Sequence, residues 1–204
     1  MQTYLALLGR RPGFRSLWLA QIVSLAGDWF NAIATVMLVN RHGNTGLAVS
    51  VLFLARSLPP FFIVPLAGVV ADRFNRKTIL IASDLLRMGI VLGFLLVDRP
   101  ERVWLAYALS AAQFVVSSFF EPALSAIVPD LVEQDELVAA NTLAGVTYST
   151  MMVLGAALGG AVAAKFGAQI ALIVDSASFG LSALLLLQIT LIRPALPRGT
   201  ANDS

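Results

Sequence analysis

Apolar residues in this chain run in long uninterrupted blocks, with neither the two-residue alternation of a half-buried strand nor a solvated polar stripe along a helix. Residues 90–97 and 183–187 are examples. A helix needs about 20 mostly apolar residues to cross a bilayer. Six segments meet that requirement, at 14–40, 47–71, 78–97, 103–128, 139–164 and 168–192. At 1.5 Å per residue each is roughly 30–40 Å long, enough to cross with some tilt. The joining segments are short: 41–46, 72–77, 98–102, 129–138 and 165–167. None is long enough for a catalytic insertion. The pattern predicts an all-α membrane protein, with six transmembrane helices over residues 1–192. Residues 193–204, with Pro194, Pro197 and Gly199, read as a cytoplasmic tail or the start of a linker.

Composition supports this. Of 204 residues, 58% are hydrophobic and 13% charged, well short of the charge that covers a soluble domain. Intrinsic disorder is excluded by the same figures. Cysteine is absent, so there is neither a disulfide framework nor a thiolate metal site. A net charge of +2 gives no electrostatic footprint for nucleic acid. The basic residues are unevenly placed. Arg10, Arg11, Arg15, Arg73, Arg76, Lys77, Arg193 and Arg198 fall on one side of the predicted membrane, and Arg41, Arg99, Arg102 and Lys165 on the other. By the positive-inside rule both termini are cytoplasmic. The first span is too long for a cleavable signal.

Six ionisable residues lie inside spans: Asp28, Arg56, Asp84, Arg87, Glu121 and Asp175. Each costs about 2.5–3.5 kcal/mol at the centre of an isolated inserted helix, so each is expected to face protein or water. Counting along the spans suggests two layers, one with Asp28, Arg56 and Asp175, the other with Asp84, Arg87 and Glu121. Four acids against two arginines leave two acids without a basic partner in the spans. Unpaired buried carboxylates tend to bind protons, which is the chemistry of a proton-coupled carrier. Plainer readings stand beside this: Asp84 and Arg87, three residues apart, can be a structural pair, and Glu121 can sit near the headgroups. Asp28 is the deepest and the best candidate for a functional group.

Enzymatic chemistry finds no support. The single histidine, His42, lies in a predicted outer loop, so neither an intramembrane Ser–His dyad nor H-E-x-x-H can form. No phosphate-binding G-x-x-x-x-G-K-[ST] is present. The acidic run Asp130, Glu133, Asp135 and Glu136 lacks calcium-loop spacing and reads as a solvated interfacial turn. Trp18 and Trp104, near span ends, read as interface anchors. No cofactor and no metal are expected.

The second cytoplasmic connection reads Gly68-Val-Val-Ala-Asp72-Arg73-Phe-Asn-Arg76-Lys77. It resembles the loop between helices two and three of the major facilitator superfamily, G-x-x-x-D-R-x-G-R-[RK]. Asn75 replaces a glycine, and asparagine can keep a left-handed turn. Gly68 would allow close helix approach, and Arg73, Arg76 and Lys77 would meet headgroups. In the fifth span Gly155-Ala-Ala-Leu-Gly159-Gly160 is similar to that family's antiporter motif, with Ala156 for proline and Met151 for an upstream glycine. Generic helix packing explains the same glycines equally well. Gly27-Asp28-Trp29, Arg56 with Pro59, Pro60 and Pro65, Ser83-Asp84 with Arg87, Glu121-Pro122, and Asp175 to Phe179 together resemble the drug-efflux and siderophore-export branch. The three prolines would break and bend the second span.

The resemblance covers one amino-terminal half of such a carrier, built as two three-helix inverted repeats, although no internal repeat is visible in the residues. It implies proton-coupled efflux of a small molecule through a bacterial inner membrane, with a second six-helix half supplying the other wall of the cavity. It also implies that Asp72 locks the cytoplasmic side against that half. Three origins stay open: a fragment of a full carrier, a half-size carrier that pairs with itself or with a separate half, and a six-helix structural or regulatory membrane protein without transport.

Overall fold

The computed structural model of the chain describes residues 2–43 and 46–190. Seven helices account for most of them: α1 (Gln2–Arg10), α2 (Pro12–Gly43), α3 (Gly46–Arg73), α4 (Arg76–Gly93), α5 (Val103–Ile127), α6 (Leu137–Phe166) and α7 (Ala168–Leu187). Among the described residues, six helices, α2 to α7, are long and apolar enough to cross a membrane. α1 is not announced by the apolar pattern. It packs on α2 and α6 and buries Leu7. Residues 191–192 of the expected sixth span and the whole 193–204 tail lie outside the described residues.

Local chemistry sets the boundaries. Pro12 opens α2, where its missing N–H costs no helical bond. Asn75 ends the link between α3 and α4 by capping α4, its side-chain oxygen accepting from the Thr78 N–H at 3.3 Å. Asn75 has φ −65° and ψ 115°, so it is extended and the expected left-handed turn is not formed. Gly167, at φ 88°, closes α6 and turns the chain into α7, a conformation that favours glycine. The predicted break in the second span is absent. α3 is helical from end to end through Pro59, Pro60 and Pro65, as is tolerated where neighbouring groups re-satisfy the freed carbonyls.

The main contacts are α2 with α6 and α7, α3 with α5, and α4 with α5 and α7. Exchanging α2 for α5, α3 for α6 and α4 for α7 maps this set onto itself. The contacts therefore carry the two three-helix repeats that the residues do not display. Two apolar clusters hold the ends of the bundle. One, at the end bearing the basic loop, contains Phe14, Leu80, Phe120, Ile127 and Leu186. The other, at the opposite end, contains Leu52, Val91, Phe94, Leu172 and Phe179. Between them lies a belt of buried polar side chains, among them Asn31, Arg56, Asp84, Arg87, Gln113 and Asp175.

Candidate functional site

The belt is organised around Arg87 on α4. Its guanidinium bonds Asp84, one turn earlier, at 2.5 Å, and reaches Asp28 on α2 at 3.8 Å. Phe120 and Phe179 flank it, each ring centroid 4.3 Å away. Such sandwiching suits a planar, weakly hydrated cation. Ser182 on α7 donates to the second Asp84 oxygen at 2.6 Å. Asp84 is fully buried, so its charge is met entirely by protein. The i,i+3 pair is made, and the two expected layers are joined: Asp28 belongs with Arg87, across the boundary drawn between them.

Arg56 on α3 is arranged differently. It is 8% exposed, donates to Asn31 Oδ1 at 3.2 Å, and lies over the Phe114 ring at 5.7 Å. Its Nε has no hydrogen-bond partner, and no carboxylate lies within 4 Å of it among the described residues. Asp175 on α7 is fully buried, and among the described residues neither carboxylate oxygen has a partner at hydrogen-bond geometry. Gly27 makes room beside it. A Cβ at Gly27 would lie 2.7 Å from Asp175 Oδ1 and 1.9 Å from Ser178 Oγ.

A cavity of about 510 Å³ opens between α2, α3, α5 and α6. Asp28, Arg56, Arg87 and Glu121 line it, with Asn31, Gln113, Trp29, Phe53, Phe114 and Tyr148. Asp84 and Asp175, expected on a proton or substrate pathway with the others, are not part of its wall; they stand behind it, sealed by α4 and α7 packing. Glu121 and Tyr148 also line a second hollow of about 240 Å³ towards the basic end, beside Phe14, Trp18 and Asn141. Trp18 donates to Thr147 at 2.8 Å and so ties α2 to α6 in place of the expected interface anchor, whereas Trp104 is exposed. Asn31, Gln113, Ser182 and Phe120 were missed in the sequence. Asn31 and Gln113 could have been found, since an amide inside an apolar span needs a partner.

The basic loop divides. Arg76 donates to the Ala126 carbonyl at 2.8 Å and to Asp130 at 2.6 Å. Lys77 donates to the carbonyls of Leu187 and Ile189 at 2.8 and 3.0 Å, capping the end of α7. These two side chains are thus taken up by protein, against the expectation of headgroup contact, and Arg73 remains exposed. Asp72 is exposed and has no ion pair or hydrogen bond among the described residues. Gly68 was expected to admit a neighbouring helix, yet a Cβ there would meet nothing within 4 Å. The acidic run is likewise no free solvated turn. Asp130 pairs with Arg76, and Arg11 pairs with Glu133 and, at 2.8 Å, with Glu136. Burial alone would raise Glu136, but the Glu133 backbone N–H and the Arg11 guanidinium outweigh it and hold the carboxyl below its usual value. The Glu133 and Glu136 carboxylates raise Arg11.

Gly155 and Gly159 are the contact between α6 and α2. A Cβ at Gly155 would lie 3.0 Å from Trp29 Cδ1, and one at Gly159 3.0 Å from Phe30 Cα. Gly160 has only Ile33 Cδ1 at 3.6 Å. Gly159 therefore brings the two backbones close, as small residues do in membranes, and Gly155 seats the Trp29 side chain.

A family profile described as a transmembrane secretion effector, of the major facilitator type, matches residues 4–200. The chain belongs to the major facilitator superfamily. It is 29% identical over 182 residues to an uncharacterized MFS-type transporter of Bacillus subtilis, YfiS, covering 88% of this chain and 43% of that protein. It is 29% identical over 126 residues to macrolide efflux protein A of Streptococcus pyogenes, covering 61% and 31%. With the enterobactin exporter EntS of Citrobacter koseri it shares 29% identity over 167 residues, covering 80% and 40%. The chain spans less than half the length of the curated relatives it matches. No solved structure matches it.

Proposed function

We propose that this major-facilitator chain is the amino-terminal half of a proton-coupled exporter of small molecules in a bacterial inner membrane, with both termini cytoplasmic. The observation that carries the reading is the cavity lined by Asp28, Arg56, Arg87 and Glu121 within a six-helix array. Asp28 is its proton-responsive group. It is 34% exposed at the cavity and lies 3.8 Å from Arg87, whose stronger bond is to Asp84. Protonating Asp28 frees Arg87 from one carboxylate without stranding it, because Asp84 keeps it neutralised. Names of relatives that export a siderophore or a macrolide support efflux as the direction. The open space at Gly68 and the unpartnered Asp72 support a second six-helix half docking at the basic end, where Asp72 gates the cytoplasmic side. No covalent step is involved.

The test is transport in proteoliposomes that contain the chain and a second half, with a pH gradient as the only driving force. Flux should need both halves, and Asp28→Asn should remove its pH dependence. Unchanged, still pH-driven flux in that variant refutes the role of Asp28. Absence of flux with both halves present favours the structural or regulatory reading.

A further inference from the structure

Charge in the cavity wall is unevenly satisfied. Arg87 is neutralised by Asp84 and Asp28. Two other charged groups of the wall have no ion pair among the described residues: Arg56, buried and with Nε unpartnered, and Glu121, exposed to the hollow. They stand at opposite ends of one wall. Arg56 lies over Phe114 on α5, and Glu121 follows Phe114 by seven residues on the same helix. Seven residues are two helical turns, so both positions share a face, separated along the axis by roughly 10 Å. Ser117 and Ser118 fill the face between them. Gln113 precedes Phe114 on the same helix and Asn31 accepts from Arg56, so both amides stand at the Arg56 end of the wall. Trp29, Phe53 and Tyr148 give the remainder an aromatic surface.

A buried guanidinium without a carboxylate is costly unless a ligand supplies one. The same wall offers a carboxylate for an ammonium group two turns away, and between them the Ser117 hydroxyl for a peptide group. Three residues of extended chain span about 10 Å. A volume of about 510 Å³ is within the range of small-molecule sites. The geometry points to a zwitterionic, peptide-like substrate about three residues long, its carboxylate on Arg56, its ammonium on Glu121, and an apolar side chain against the aromatic wall. This names the substrate class of the cavity proposed above and rests on that reading.

The probe is the tripeptide Ala-Phe-Ala in four forms: free, N-acetylated, C-amidated and capped at both ends. Binding is followed by calorimetry on the purified chain in lipid nanodiscs. The free peptide should bind at least about tenfold more tightly than either singly capped form, since each cap removes one charge-assisted contact. In Arg56→Gln the C-terminal amide should no longer matter, while the N-acetyl group still does. In Glu121→Gln the dependence should reverse. Equal binding of all four forms, or no binding of the free peptide, overturns the proposal on the unaltered chain, whatever the variants do. Proteoliposome flux separates the two readings. Two-ended binding without flux when both halves are present leaves the substrate class standing and sinks the carrier; flux of a capped peptide at the rate of the free one does the opposite.

Discussion

Four glycines of α6 place one and the same substitution in four different surroundings. Alanine is favoured over glycine in a helix interior by up to about 1 kcal/mol, through backbone entropy alone. At Gly145 an added Cβ meets nothing within 4 Å, so Gly145→Ala should stabilise by nearly that amount. At Gly160 the neighbour is Ile33 Cδ1 at 3.6 Å, an ordinary contact, and the gain should survive. At Gly155 the neighbours are Trp29 side-chain atoms at 3.0–3.2 Å, which can shift a little. At Gly159 they are Phe30 Cα and N and the Trp29 carbonyl oxygen, at 3.0 to 3.2 Å. Those are backbone atoms of α2 and cannot swing aside, so the helices must part by a few tenths of an ångström. Overpacking of this kind costs about 1–3 kcal/mol. Set against the entropy gain, Gly159→Ala should lose up to about 2 kcal/mol, and should lie about 1–3 kcal/mol below Gly145→Ala. The assay is equilibrium unfolding of the four variants in one detergent, with SDS as denaturant and helical circular dichroism as readout. Should Gly159→Ala prove as stable as Gly145→Ala, the close approach of α6 to α2 is refuted.

Removing Arg87 should be far worse than removing its weaker partner. Arg87→Leu strands the buried Asp84 and should cost about 3–5 kcal/mol in the same unfolding assay, whereas Asp28→Asn, at 3.8 Å and 34% exposed, should cost under about 1.5 kcal/mol. Lys77→Ala should release the end of α7: about 1 kcal/mol is lost, and amide hydrogen exchange near Leu187 quickens while that of α6 does not. The Arg11–Glu136 contact gives a pH signature. Glu136 is held below its ordinary value, near 4.5, so its stabilising effect is complete above that value and fades as pH falls through the lower folded-state value. Exchange in α1 should therefore rise at acid pH, and Glu136→Gln should abolish the step. Under the gating role proposed for Asp72, Asp72→Asn should change the labelling of cysteines introduced at the basic end when a second half is supplied; identical labelling refutes that role.

The spans were legible because lipid demands continuous apolar runs, and that demand leaves no room for ambiguity of period. α1 was not, since nine residues with Leu7 on one buried side leave too short a trace. Depth could be read by counting residues, but azimuth could not. Asp28 and Arg56 are both deep, yet Asp28 turns to Arg87, because only the packing of α2 and of α4 against α7 decides which way its face points. The Asp84–Arg87 pair was readable since it is local. The roles of Arg76, Lys77, Asp130 and Glu136 were not, because each partner lies 50 or more residues away. The repeat was invisible in residues and plain in contacts, as packing constrains shape more than identity.

Arg76 and Lys77 are neighbours in the chain, yet one fastens α4 to the end of α5 and the other to the end of α7. Arg11 fastens the start of α2 to the segment leading into α6. Five of the six membrane helices thereby carry a tie on one rim of the bundle, in two groups, α4 with α5 and α7, and α2 with α6. In the carrier proposed above each group would move as a block, and rocking would fall at the seams outside it.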